Sequence, residues 1–201
     1  MDAEGWDERY RASELVWSAG PNQFVETELS ALPPGRALDL ASGEGRNAIW
    51  LARQGWRVTA VDFSQAGLDK GRILGDGLDI DWVCADARTW SADGQEYDAC
   101  LIAYLQLPPS ERRAAVRNGY SALRKGGTFL LVAHDSTNLT EGTGGPQDPA
   151  VLMTAEEVLT DLGGETFEVQ QAGRVARVVA DGHGEEPAAT AWDCLVRVVR
   201  R

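Results

Sequence analysis

One short stretch constrains this chain more than any other: Asp39-Leu40-Ala41-Ser42-Gly43-Glu44-Gly45-Arg46-Asn47. Arg36 to Leu40 reads as a buried strand, and the residues from about Arg46 to Gln54 read as a helix that Gly55 stops. Between them, Gly43 and Gly45 allow backbone conformations closed to other residues and let a ligand come close to the main chain. In an open α/β sheet, ligands sit beyond the carboxyl ends of the strands, where the strand order reverses. A strand, a glycine turn and a helix in this order predict such a sheet with its site at this turn.

The rest of the chain agrees. Short β-type runs alternate with helical patterns, as in a mostly parallel α/β sheet. Residues 3–12 predict a helix, Ser18 to Asn22 a turn, and Phe24, Val25, Glu28, Leu29 and Leu32 a second helix ended by Pro33-Pro34-Gly35. Further strands are expected at Arg57 to Val61, Ile80 to Ala85, Tyr97 to Ala103 and Thr128 to Ala133. Ser64 caps one intervening helix, which fades at Gly75-Asp76-Gly77. Ser110-Glu111 opens another, which ends at Lys125-Gly126-Gly127. Thr154 and Glu157 have the spacing of a capping box. Two β-rich stretches, Thr166 to Ala180 and Ala191 to Arg200, flank the turn Asp181-Gly182-His183-Gly184 and predict a closing antiparallel hairpin. Residues 135–150 form a polar, Gly- and Pro-rich segment, read as an active-site lid loop; a plain surface loop is the other reading. The expectation is a single domain over residues 1–201, with residues 1–32 as an N-terminal helical cap.

Composition limits the partners. The net charge is −12 over 201 residues, with no extended Lys/Arg cluster. A nucleic-acid binder needs a basic face to neutralise phosphates, and an anionic membrane would repel this chain. The longest apolar run, Phe129 to Ala133, is strand-sized, and the acidic start Met1-Asp2-Ala3-Glu4 does not read as a signal peptide. A cytoplasmic protein with a small-molecule substrate is expected. Cys84, Cys100 and Cys194 have neither a C-x-x-C spacing nor a paired histidine, so buried reduced thiols are expected and no metal.

The glycines alone leave two ligands open. Gly43-Glu44-Gly45-Arg46-Asn47-Ala48 fits a G-x-G-x-x-A dinucleotide pattern, and Asp62 ends the second strand where a ribose-binding carboxylate belongs in either case. Three features favour a cationic aminoacyl ligand. Asp39 lies in the strand ahead of the glycines, where it would repel a pyrophosphate. Asp86-Ala87 ends the third strand, where an acid can accept from an adenine amino group. The closing hairpin is the third. Together they resemble class I methyltransferases, with Ala41 in the first glycine place of an acid-x-Gly-x-Gly-x-Gly loop. Trp6-Asp7-Glu8-Arg9-Tyr10, Gly45-Arg46-Asn47 followed by Trp50-Leu51-Ala52, and Val61-Asp62-Phe63-Ser64 resemble the bacterial tellurite-resistance and thiol methyltransferase-like group.

That resemblance implies a Rossmann-like fold with a seven-stranded, mostly parallel sheet and S-adenosylmethionine as cofactor, leaving as S-adenosylhomocysteine. By it, Asp62 holds the ribose, Phe63 packs on adenine, Asp86 and Ala87 line the adenine pocket, Gly43, Gly45, Ala103 and Tyr104 surround the methionine part, and Asp39, Ala41, Arg46 and Asn47 also bind the cofactor. Trp6, Tyr10, Arg11 and Trp17 fold over the site. Each has a plainer reading beside it: Asp39 as a salt bridge to Arg46, Asp62 and Asp86 as solvated strand ends, Trp6 and Trp17 as anchors of the N-terminal segment. His134 follows the fifth strand and can act as a base or simply end a strand; His183, in its turn, reads as solvent-exposed. Arg177 matches a hairpin arginine that lies near the substrate in the tellurite-resistance family, but Ala176 replaces the histidine before it; Arg177 can also pair with Asp193 across the ladder. The expected reaction is methyl transfer to a small acceptor, with thiols or other chalcogens favoured, by a monomer or homodimer with His134 and Arg177 at the acceptor. An NAD-type oxidoreductase and a non-catalytic S-adenosylmethionine-binding module are the alternatives.

Overall fold

The alternating signals resolve into one seven-stranded sheet in a computed structural model, which describes residues 2–16, 18–179 and 189–201. The strands are β1 (Arg36–Leu40), β2 (Arg57–Asp62), β3 (Ile80–Cys84), β4 (Tyr97–Ala103), β5 (Leu123–His134), β6 (Phe167–Val179) and β7 (Ala189–Arg200), in the order β3-β2-β1-β4-β5-β7-β6. β1 to β5 run parallel, while β7 is antiparallel to both β5 and β6, so the C-terminal hairpin is present. The order reverses between β1 and β4. The glycine turn leaves one of these strands and Tyr104 the other.

The helices are α1 (Ala3–Ala12), α2 (Gln23–Leu29), α3 (Arg46–Arg53), α4 (Gln65–Leu74), α5 (Pro109–Ser121), α6 (Asn138–Glu141) and α7 (Ala155–Asp161). Their ends follow the sequence signals. Ser64 accepts from the Gly67 N–H at 3.1 Å, and Thr154 with Glu157 forms the capping box. Successive strand residues point to opposite faces. Ala37, Leu101, Leu130, Val132 and Leu195 therefore pack with Val25, Leu29 and Leu51 of α2 and α3. Leu38, Leu40, Ile102, Phe129 and Leu131 pack on the other face with Val116, Tyr120 and Val158 of α5 and α7.

Three local expectations change. The helix read as ending at Lys125 stops at Ser121, because Leu123 is buried and already pairs with Tyr97 as the start of β5. The 135–150 segment is not a bare loop. Asp135 bridges to Met153, α6 and a 3-10 turn (Pro149–Val151) lie within or beside it, and buried Asn138 accepts from the Trp192 N–H at 2.7 Å while donating to the Gly144 carbonyl at 2.9 Å. Cys100 and Cys194 are buried as expected, but Cys84 is exposed because β3 is an edge strand. The hairpin turn with His183, and Trp17, lie outside the described residues. Among the described residues no helix is long and apolar enough to cross a membrane.

Candidate active site

The turn after β1 is built from residues in the left-handed region: φ is 66° at Ala41, 58° at Gly43 and 76° at Gly45. Gly45 has a second reason to be glycine. A Cβ there would lie 2.3 Å from the Trp82 ring, and one on Gly71 would lie 2.4 Å from it. The β3 indole is therefore clamped between α4 and the turn. Below the turn, Asp39 is buried and neither carboxylate oxygen has a hydrogen-bond partner. Burial pushes its pKa up to about 7; the Ala48 N–H draws it back without forming a hydrogen bond, Asp62 pushes it up again, and Arg46 lowers it slightly. The salt-bridge reading for Asp39 is thus not realised. Arg46 instead donates to the Ser18 hydroxyl at 3.0 Å.

Asp62 ends β2 on the same rim. Its two oxygens accept from the Gly43 and Ser64 N–H groups, both at 2.8 Å, so one side chain fixes both flanking loops. Burial raises its pKa against the pull of these bonds. Phe63 beside it is half-buried. Asp86 is already engaged: Arg88 Nε donates to both oxygens at 3.0 and 2.9 Å, and this pairing holds its pKa low. Ala87 is buried, and its carbonyl accepts from Asn118 at 3.0 Å.

The N-terminal segment closes onto these loops. Asp7 accepts from the Ser64 hydroxyl at 2.5 Å and the Ala66 N–H at 3.1 Å, which docks α1 on the start of α4. Trp6 stacks on Tyr10 at 5.5 Å, and Tyr10 is buried against Gly67, where a Cβ would sit 3.1 Å from its ring. Glu44, between the two glycines, is buried and holds the Val16 N–H and the Lys70 ammonium, both at 3.0 Å. Arg11 pairs with Asp7 at the surface. A hollow of about 120 Å³, lined in part by Leu15, Ser18, Glu44 and Arg46, opens beside the turn without reaching Asp39 or Tyr104.

A second cluster stands across the strand reversal. Tyr104 follows Ala103 with φ of 58°, in the left-handed region despite its bulk. Its hydroxyl donates to Asp193 at 2.8 Å and accepts from Asn22 at 3.3 Å. Asn22 also caps α2, and its own N–H donates to Asn47 at 2.9 Å, so α2, α3, β4 and β7 are tied together. Arg177 Nε donates to Asp193 at 2.7 Å, the cross-ladder pair expected from sequence. His134 stands opposite Asp193 in the β5–β7 register, with Nδ1 3.4 Å from the carboxylate. Burial lowers the His134 pKa, with Asp193 opposing and Arg177 assisting, so the imidazole is neutral at pH 7. Gly145 of the 135–150 segment lies so close that a Cβ would be 2.9 Å from the ring.

The structure therefore brings Asp39, Ala41, Gly43, Gly45, Asp62 and Tyr10 to one rim, and Tyr104, His134 and Arg177 to the neighbouring cluster. Asp86 borders the rim paired with Arg88, and Arg11 reaches it only through Asp7. Sequence reasoning did not single out Asn22, Glu44, Asp7 or Trp82. The only local signal among them is Asn22, which precedes a helical pattern as an N-cap does.

Comparison with known proteins completes the picture. A methyltransferase-domain family model matches residues 37–127, and one for thiopurine S-methyltransferase matches residues 1–72. Thiocyanate methyltransferase 1 from Arabidopsis thaliana is 24% identical over 85% of this chain and 78% of its own length. Demethylmenaquinone methyltransferase from Clavibacter sepedonicus is 31% identical over 61% of this chain, which spans only 52% of that relative. Among solved structures, TehB from Haemophilus influenzae aligns over 99% of this chain and 67% of its own with TM-score 0.71 and 17% identity. The N-methyltransferase NodS from Bradyrhizobium japonicum, solved with S-adenosyl-L-homocysteine, aligns over 98% of this chain and 97% of its own with TM-score 0.73 and 17% identity. At these identities the shared property of the solved structures is the fold. With the sheet order, the glycine turn and these relatives together, the chain has the fold of the class I S-adenosylmethionine-dependent methyltransferases and is similar in sequence to methyltransferases that include thiopurine S-methyltransferase and thiocyanate methyltransferase.

Proposed function

We propose that this protein transfers a methyl group from S-adenosylmethionine to a small soft nucleophile, a thiol or another chalcogen. The observation that carries the cofactor half is Asp39. A buried carboxylate with both oxygens unbonded, under a turn of left-handed residues, is costly unless a cationic ligand group completes it. The cofactor's ammonium would do so, whereas a pyrophosphate in that place would be repelled. Asp62 keeps lone pairs for ribose hydroxyls beyond the two it spends on backbone N–H groups. Phe63, Asp86 and Ala87 would border the adenine, Arg46 and Asn47 would begin the helix beside the methionine part, and Ala103 with Tyr104 would face it from β4. Trp6 and Tyr10 would close the rim, with Arg11 acting through Asp7. We assign Trp17 to the same cap on the family resemblance alone.

When bound, the cofactor supplies a methyl group on a positively charged sulfur, already activated for displacement. The chain's work is to orient the acceptor and exclude water, which can be worth ~7–11 kcal/mol. His134 and Arg177 are the groups assigned to the acceptor, with residues 135–150 as the segment that covers it. A sulfur acceptor is favoured because the relatives named for sulfur substrates include one matching 85% of the chain, while the demethylmenaquinone relative matches less of it. The acidic surface supports a small molecule rather than a nucleic acid. We assign one domain, the cytoplasm, and a monomer or homodimer.

The test is a thermal shift followed by a turnover panel. S-adenosylhomocysteine should raise the melting temperature and NAD should not; a ligand at ~100 times its Kd adds ~2.7 kcal/mol. Labelled cofactor with small thiols, selenite, tellurite, thiocyanate, phenols and amines should then label the sulfur or selenium acceptors first. Stabilisation by NAD alone would overturn the cofactor, and labelling confined to amines or phenols would overturn the acceptor.

A further inference from the structure

Asp193 gathers more than an ion pair requires. It lies on β7, fully buried, and accepts from Arg177 at 2.7 Å and from the Tyr104 hydroxyl at 2.8 Å on one oxygen. Its other oxygen faces His134 Nδ1 at 3.4 Å, directly across the ladder. His134 Nδ1 is itself buried without a hydrogen bond, and the carboxylate it faces is Asp193. The Tyr104 ring lies 5.0 Å from the imidazole, and the Gly145 backbone closes on the imidazole too. The ring thus has little freedom to turn. Tyr104 holds its place at a left-handed φ, a conformation that costs ~1–3 kcal/mol and persists only when the surroundings over-determine it.

The charge count of this cluster says what it can bind. Arg177 is neutralised by Asp193, and His134 and Tyr104 are uncharged at pH 7. The next cation, Arg46, faces Tyr104 but also Asp39. A fully ionised acceptor such as thiocyanate would find no uncompensated cation among Asp193, Arg177, Tyr104 and His134. A neutral S–H group would meet a neutral imidazole backed by a carboxylate, which is the arrangement that takes up a proton.

We propose that Asp193 is a positioning residue that fixes His134 with its proton on Nδ1, leaving the Nε2 lone pair to deprotonate a neutral thiol acceptor. This rests on the methyltransferase reading above and narrows its acceptor. As the S–H bond breaks, the proton passes to Nε2. The freed sulfur electron pair forms the new S–CH3 bond, and the pair of the old C–S bond stays on the cofactor's sulfur. The imidazolium is held beside Asp193 until its proton leaves to solvent.

The chain has two histidines, so NMR of the S-adenosylhomocysteine-bound protein can follow His134, with His183→Gln assigning the other signal. Expected is an Nδ1–H tautomer in the parent protein, and a titration midpoint that moves further down in Asp193→Asn because the supporting carboxylate charge is gone. If the single variant does not fold, Arg177→Met with Asp193→Asn removes two charges whose effects on the midpoint oppose each other, so the tautomer, expected to lose its Nδ1–H preference, is the readout there. An unchanged tautomer and midpoint would overturn the positioning role. In turnover, His134→Gln should lower kcat/KM for a small neutral thiol by ~10²–10⁴-fold, and abolish the acid limb of its pH profile. Thiocyanate, which has no proton to give, should be a poorer acceptor in the parent protein and little affected by the variant. Equal losses with both acceptors, or a preference for thiocyanate, would overturn the thiol assignment. No turnover of any sulfur acceptor, with His134 still following Asp193, would overturn the acceptor reading and leave the positioning role standing.

Discussion

The two halves of the site treat buried charge in opposite ways. On the cofactor side, Asp39 is left without a partner beneath the glycine turn, and its neighbour Asp62 is held by backbone N–H groups alone. On the acceptor side, Asp193 is as deeply buried but carries Arg177, Tyr104 and a nearby His134. A charge left incomplete is one that a ligand completes, so the first half is built to bind. A charge already complete is one that holds other side chains in place, so the second half is built to orient. The halves are joined by the chain Asn47–Asn22–Tyr104–Asp193.

The largest expected effect follows from removing the cation on the completed side. Arg177→Met would strand the buried Asp193 carboxylate, and breaking a buried pair in this way costs ~3–5 kcal/mol. Urea unfolding measures it, and the double variant with Asp193→Asn should recover most of the loss. Cofactor affinity should change little, because Arg177 makes none of the contacts around Asp39 or Asp62. A loss below ~1 kcal/mol would mean that the pair behaves like a surface one and that the contrast is false.

That contrast also explains what was legible in the sequence. The cofactor side is local: Asp39 through Asn47 is one strand, one turn and one helix start, and each element declares its conformation through its own residues. Ser64 and the Thr154–Glu157 box declare themselves for the same reason. The acceptor side is assembled from residues 22, 104, 134, 177 and 193, which only the sheet order brings together. Arg177 with Asp193 could be read from the hairpin, but the bonds that join Asn22, Tyr104 and Asp193 could not. The start of β5 was hidden because Lys125-Gly126-Gly127 looks like a helix stop, while the burial of Leu123 is decided by its pairing with Tyr97. Residues 135–150 read as a polar loop because Asn138 is polar, although its amide is spent entirely on backbone groups inside the protein.

A smaller effect comes from the incomplete side, and it depends on pH. In the unliganded protein the Asp39 pKa is raised to about 7, above its unfolded value. The folded state therefore keeps a proton that the unfolded chain gives up. That contribution to stability is fully present below pH ~4 and is lost as pH rises through about 7. An ammonium ligand reverses the preference, because it favours the ionised carboxylate. S-adenosylhomocysteine affinity should then fall as pH drops below about 7, approaching tenfold per unit, or ~1.4 kcal/mol. Calorimetry in buffers of different ionisation enthalpy should detect proton release on binding near neutral pH. Asp39→Asn should bind more weakly and lose the slope; a slope that survives it would assign the proton elsewhere.

The smallest effect compares two non-glycine residues of the site that sit at positive φ, one in each half. Ala41 has φ of 66° and no side-chain bond to justify it; only its N–H is tied, to the Val61 carbonyl at 2.8 Å. A left-handed alanine costs ~1–2 kcal/mol, which glycine would relieve. Against that, glycine adds unfolded-chain freedom worth ~0.4–1 kcal/mol, and one half-buried methyl is lost. Ala41→Gly should therefore stabilise the protein by only ~0.5 kcal/mol, seen as a small rise in melting temperature. Tyr104 has nearly the same φ, but its hydroxyl is bonded to both Asp193 and Asn22, so Tyr104→Gly should destabilise in spite of the relieved backbone. Opposite signs at the two positions would separate strain that merely shapes a turn from strain that the side chain holds in place. If both variants stabilised the protein, the Tyr104 bonds would contribute less than its backbone costs, and the acceptor side would not be the rigid half.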